Sequence, residues 1–189
     1  MTGHGHGGGH DGGDKRIALL ISILALFLAI AETGAKSAQT EALSKNVEAA
    51  NLWAFFQART VRQTVVNSVA DLAELDKSVA RDEATRQTIA RQQEAWRNSA
   101  RRWESEPETG EGRRELAARA QAAEAKREKS MGAYHLFEYS SAAFQVAIVL
   151  ASASIVTGVA ALALGGGALG VVGLLLAVVA VVAPQALHL

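Results

Sequence analysis

The chain has 189 residues, with 19 acidic and 19 basic side chains, no cysteine and only 2 prolines. Balanced charge leaves no global field to gather nucleic acid, the lack of cysteine excludes disulfide and thiolate chemistry, and the wealth of Ala, Leu, Glu and Arg favours helix over sheet. The charges are unevenly placed. Apart from Asp11, Asp14, Lys15 and Arg16, every Asp, Glu, Lys and Arg lies between Glu32 and Glu138, so a polar, helix-forming middle is flanked by two apolar ends.

Residues 1–14, MTGHGHGGGHDGGD, read as a disordered tail. His4, His6 and His10, with Asp11 and Asp14, are ligands of the kind that take Zn, Ni or Cu. A glycine-rich segment has no preformed geometry, and ordering it costs about 1–2 kcal/mol per residue. No metal or other cofactor is therefore expected.

Residues 15–35 form the first predicted transmembrane helix. The run Ile17–Ala31 is apolar apart from Ser22 and spans roughly 22 Å as a helix, short against a hydrocarbon core of about 30 Å. Extension toward Ala35, with Lys15 and Arg16 snorkelling, closes the gap. The rival is a signal peptide, because Lys15–Arg16 precede the run and Ala29–Ile30–Ala31 has the A-x-A form of a cleavage site. A retained span is preferred, since the glycine-rich leader is an unusual start for a signal and helix-competent sequence follows Glu32.

Residues 36–138 are expected to fold as a long extramembrane helical hairpin, coiled-coil-like, with its turn at 105–112. Positions seven apart read Val47, Ala54, Val61, Ser68, Leu75, Asp82, Ile89, Trp96 and Trp103, an imperfect seam. Its polar members argue against one tight dimeric zipper. Asp82–Arg86 and Glu115–Arg119 have the spacing of helical ion pairs. Pro107, Gly110 and Gly112 in SEPETGEG break the helix. Leu43–Glu104 would be roughly 93 Å long as one rod and Arg113–Glu138 roughly 39 Å. The outgoing arm must therefore bend or break, and Asn67–Ser68 is the favoured place. Trp53 and Phe56, near Leu52 and Phe55, are read as helix-packing residues, with a membrane-interface helix as the alternative. Trp96 and Trp103 are expected to be buried against the return arm or a neighbouring subunit.

Tyr139–Leu189 carries no formal charge among its side chains and is too long for one span. Gly165–Gly166–Gly167 divides it into predicted transmembrane helices 139–164 and 168–187, joined by a glycine turn. The competing use of these glycines is close helix packing through Gly166 and Gly170. Lys36, Lys45, Lys126, Arg127 and Lys129 outweigh Lys15 and Arg16 beside the spans, which favours a cytoplasmic middle domain.

The stretches NVEAANLWAFFQARTVRQ (Asn46–Gln63) and AYHLFEYSSAAFQVAIVLASASI (Ala133–Ile155) resemble a family of small bacterial membrane proteins, catalogued as domain of unknown function number four-three-three-seven. The run Asn51-x-Trp53-Ala54-x-Phe56-Gln57-Ala58 is the most specific mark. The resemblance implies this architecture and a bacterial inner-membrane, multi-pass location, and it carries no activity.

His135 and Glu138 stand three residues apart on one helix face. With Ser141, Gln145 and Ser152 they trace a polar stripe into the apolar segment, where polar groups mark either function or interhelical hydrogen bonding. The pair is read as a clamp where the helix enters lipid, with the stripe serving assembly. No Walker loop, nucleophile elbow, HExxH or dinucleotide fingerprint occurs, so an enzyme is not expected, and interleaved charges argue against nucleic-acid binding. The fold class expected is an all-α integral membrane protein with three transmembrane helices. Its expected partners are the bilayer and copies of itself, in a homo-oligomeric scaffold. A channel or transporter subunit lined by Glu138–Gln145, and a membrane-anchored sensor, are the alternatives.

Overall fold

A computed structural model of the protein describes residues 11–185. The described residues form four helices and no strand: α1 (Asp11–Val79), α2 (Glu83–Glu104), α3 (Arg113–Thr157) and α4 (Ala160–Val182). α1, α3 and α4 are each long and apolar enough to cross a membrane. The described residues divide into two compact units. One combines residues up to Leu43 with those from Glu128 onward, and the other is Ser44–Arg127. Helix α1 begins at Asp11, so the expected tail of residues 1–14 is corrected at its end. Asp14 sits in the first turn, where a carboxylate favours the positive end of the helix dipole.

The first unit packs α1, α3 and α4 around Leu24, Ala31, Phe144 and Ala147, with Phe27 stacked on Phe144 at 5.9 Å between ring centroids. Ser22, the polar residue of the apolar run, donates to the Ala18 carbonyl at 3.0 Å and so leaves no unmet hydroxyl. The expected glycine turn at Gly165–Gly167 is not formed, and all three glycines lie inside α4. The chain reverses instead at Gly158–Val159. Gly158 takes φ +71°, a left-handed value that glycine adopts without steric cost. Its N–H donates to the Ser154 carbonyl at 2.9 Å, and the Ser154 hydroxyl donates to the Val159 carbonyl at 3.0 Å. The expected helix boundaries 139–164 and 168–187 shift accordingly: α3 ends at Thr157, and α4 starts at Ala160 and ends at Val182.

Close packing accounts for Gly166, Gly170 and Gly173. A Cβ on Gly166 would lie 2.7 Å from the Ala147 carbonyl oxygen, one on Gly170 would strike the Leu24 side chain, and one on Gly173 would lie 3.2 Å from the Phe144 ring. Gly165 and Gly167 face open space.

In the second unit the expected two-armed hairpin is corrected. α1 passes Asn67–Ser68 unbroken and ends at Val79. α2 then runs back along it: Gln93 donates to the Ala70 carbonyl and to Glu74, both at 2.8 Å, and Gln63 donates to the Ala100 carbonyl at 3.2 Å. The break falls at residues 80–82 because Asp82 caps α2. Its carboxylate accepts from the Thr85 N–H at 2.8 Å, and the Arg86 guanidinium donates to the Ala80 carbonyl. Asp82 is thus a cap rather than the mid-helix partner of Arg86.

Residues 105–112 are a joint rather than the tip of a hairpin. α3 continues in the direction of α2, again antiparallel to α1, with Trp53 donating to Glu124 at 2.8 Å and Arg127 to Asn46 at 3.4 Å. This resolves the length mismatch. Ser44–Val79 is about 54 Å long, and it is matched by α2, about 33 Å, followed by Arg113–Arg127, about 22 Å. Glu115 closes the joint by accepting from the Ser105 hydroxyl at 2.6 Å and the Glu106 N–H at 3.2 Å. Gly112 is held so tightly that a Cβ would strike Glu115 and the Glu106 backbone. Arg113 donates to Gln63 at 2.6 Å and to Glu104 at 2.9 Å, fastening the joint to α1.

Two outcomes follow. Gly166→Ala should destabilise the full chain in detergent by about 1–3 kcal/mol through overpacking. Gly165→Ala and Gly167→Ala should be neutral or gain up to about 1 kcal/mol, because alanine favours helix. Thermal unfolding followed by circular dichroism compares the three.

The Gln93 amide holds the Glu74 carboxyl below its ordinary range, as the Thr85 hydroxyl does Asp82, the Gln63 amide Glu104 and the Ser105 hydroxyl Glu115. Lowered folded values give stability that is complete above the ordinary carboxylate range and is lost as pH falls through the lowered values. Acidification through that window should reduce the melting temperature, and Glu115→Gln should shrink the loss.

Candidate functional site

The aromatic family-like run of α1 is built into the second unit. Leu52 is buried with Leu116 and Ala120, and Trp53 and Phe56 pack against them. Burying each leucine contributes about 1.5–3 kcal/mol. Trp53 and Phe56 meet edge to face at 5.4 Å between centroids, and the Arg113 guanidinium lies 5.0 Å from the Phe56 ring centroid. Arg59 pairs with Glu111 at 2.7 Å. Phe55 points away and is exposed. The arrangement is structural: the indole N–H is satisfied by Glu124, and the cation above Phe56 is spent on Gln63 and Glu104. Trp96 and Trp103 are half-buried in this single chain, while Leu75 of the same predicted seam is exposed.

Within this unit the buried positions of α1 form a different row, Ala49, Leu52, Ala70 and Ala73. The expected row of Val47, Val61 and Leu75 lies on the open side of the helix. It continues there with Val65, Leu72 and Val79, and exposure along the row runs from 55% at Val65 to 76% at Val79.

The polar stripe of α3 lies at the other unit. His135 Nδ1 approaches a Glu138 oxygen at 3.8 Å, and the Tyr134 hydroxyl donates to the other oxygen of Glu138. Both members of the pair are about half exposed at the side chain. Ser141 turns back on its own helix and donates to the Glu138 carbonyl at 2.9 Å. Gln145 reaches across to Glu32 of α1 at 3.4 Å. Ser152 is exposed. The five residues therefore do not converge on one site.

The polar residues inside the first unit's packing are ones that sequence reasoning missed. Ser140 is fully buried, and its hydroxyl donates to the Gly173 carbonyl of α4 at 2.7 Å. Ser154 is buried at the α3–α4 reversal. Their signal was available: Ser140, Phe144, Ala147, Ala151 and Ser154 repeat at three- and four-residue steps, one residue out of phase with the stripe beginning at Glu138. His4, His6 and His10 lie outside the described residues. Among the described residues no cluster of three or more His, Asp or Glu side chains could hold a metal ion.

Ser140→Ala should loosen α3–α4 packing by roughly 0.6 kcal/mol, up to about 1.7. Ser141→Ala should be silent, because its hydroxyl serves only its own helix. Thermal stability of the two variants in one detergent separates them.

No curated protein and no solved structure matches the chain. Residues 13–183 match the family described as "Domain of unknown function (DUF4337)", a span that takes in all of α4 and nearly all of α1. With the apolar helices, the Trp53–Phe56 cluster and the polar middle all inside that match, the chain belongs to the DUF4337 family.

Proposed function

We propose that this protein is a non-enzymatic membrane scaffold that assembles with copies of itself. In this reading α1, α3 and α4 cross a bacterial inner membrane, and Ser44–Arg127 stands on the cytoplasmic side. The apolar composition of the three helices supports the first part, and the Lys and Arg residues flanking the polar middle support the second. Retention of the first span belongs to the same reading and is supported by the packing of Leu24 and Phe27 against α3 and α4.

Self-association rests on one observation. The exposed face of α1 carries Val47, Val61, Val65, Leu72, Leu75 and Val79 in a unit that is otherwise rich in charge. Continuous exposed apolar surface of this kind marks an interaction site, and an identical face on a second copy offers a self-complementary partner. The channel alternative rests on the outward-facing pair Gln145–Glu32, which would line a pore if copies enclosed it.

Light scattering and intact mass of the full chain in detergent test the reading. An oligomer of uncleaved chains is expected, and Val61→Glu with Leu72→Glu should dissociate it while helicity is kept. A wild-type monomer, a chain beginning near Glu32, or an oligomer indifferent to the double substitution would each refute part of it. Ion flux in reconstituted vesicles that is lost on Gln145→Leu would favour the channel.

A further inference from the structure

Where α1, α3 and α4 meet at the polar end of the first unit, a groove of about 840 Å³ opens between Thr33–Glu41, Lys129–Phe137 and Ala180–Pro184. Its mouth carries Lys36 and Lys129, with the hydroxyls of Ser37 and Ser130 beside them. Neither lysine forms an ion pair within the described residues. Glu41 also lines the groove, so two ammoniums face one carboxylate and the mouth is net cationic. Thr33 and Thr40 donate to the carbonyls four residues before them, at 2.8 and 2.9 Å, and offer only acceptor lone pairs. The lysines and the two serines are thus the donors left for an anion.

The groove does not end at its polar mouth. Gly34, Phe137 and Val181 also line a second cavity of about 380 Å³, whose walls are almost wholly apolar and include Ile30, Leu174 and Val178. At this junction Phe137 packs directly on Gly34, where a Cβ would lie 2.8 Å from the ring. From Phe27 to Thr40 the two cavities follow about 20 Å of α1. A cationic, hydroxyl-lined head therefore continues into an apolar trough along the same helix. That is the outline of one amphiphile, and neither a peptide helix nor free phosphate would use both halves.

The position agrees with the outline. Lys36 is the first basic residue after the apolar run of α1, and Lys129 is the last before the apolar part of α3. In a bilayer both stand at headgroup depth, where basic pockets between spanning helices take anionic lipid headgroups.

We propose that this groove binds one anionic phospholipid, its phosphate held by Lys36 and Lys129 and one acyl chain lying against Ile30, Phe137 and Val178. The site rests on the membrane reading given above and is independent of self-association. It makes the protein selective for the lipid around it without any chemistry on that lipid.

Native mass spectrometry of the full chain, extracted in mild detergent and offered phosphatidylglycerol or phosphatidylcholine with the same acyl chains, tests it. One retained phosphatidylglycerol per chain is expected, with phosphatidylcholine lost. Lys36→Gln with Lys129→Gln should weaken retention roughly 30-fold, from about 1 kcal/mol per lysine, and the Lys→Arg pair should restore it. Equal retention of the two lipids, or an unaffected Gln variant of wild-type helicity, overturns the site. Inorganic phosphate that competes as well as lipid overturns the amphiphile assignment. An alkaline carbonate wash of membranes separates the two levels. A chain released by the wash sinks the membrane reading, whereas a chain that stays but shows no lipid preference sinks this inference alone.

Discussion

Close approach of helix backbones through alanine and glycine is the constraint on which both units depend. In the first unit Gly166 lies against the Ala147 carbonyl, where no side chain larger than hydrogen fits, and Gly170 lies against the Leu24 side chain. In the second, Ala49, Ala70 and Ala73 of α1, Ala100 of α2, and Ala120 and Ala123 of α3 fill most of the buried positions, beside Leu52, Gln93 and Leu116. Small residues bring helices near but bury little apolar area each, and hydrophobic stabilisation scales with that area. The remaining cohesion has to come from directed contacts. Gln93 to Ala70 and Glu74, Trp53 to Glu124, Gln63 to Ala100 and Glu104, and Ser140 to Gly173 supply them, each crossing from one helix to another.

That constraint also explains which parts of the fold were legible in the sequence. Charge distribution and apolar run lengths were enough to give an all-helical chain with three segments fit to cross a membrane. The seams were not legible, because a search for periodic apolar residues gives most weight to Val and Leu. The large residues of α1 at Val47, Val61 and Leu75 are on its open side, while the buried row is mostly alanine, which a hydrophobicity pattern scarcely registers. Asp82 was readable as a cap, with Thr85 three residues on, but its spacing to Arg86 offered an ion pair as well. Gly165–Gly167 looked like punctuation, yet a lone Gly158 makes the reversal, since one left-handed residue suffices to end a helix.

The candidate site was legible in type and missed in phase. Polar side chains at the start of the last apolar region do link helices, but the buried hydroxyl belongs to Ser140, one residue before Ser141. On a helix that step is about 100°, enough to exchange an outward-facing position for an interhelical one. Gln145 reaches Glu32 because α1 passes that face, a neighbour that no local pattern could supply.

The reversal at Gly158–Val159 has a consequence for how such a chain is made. Between Tyr139 and Val182 there is no charged side chain, and only two residues separate α3 from α4. For helices that cross a bilayer, the far side receives a tight apolar bend rather than a loop, and no ionised group has to be carried through hydrocarbon, where each costs about 2.5–3.5 kcal/mol at the centre of an inserting helix. For such helices α3 and α4 would enter lipid as one pair, joined across their interface by the Ser140–Gly173 hydrogen bond.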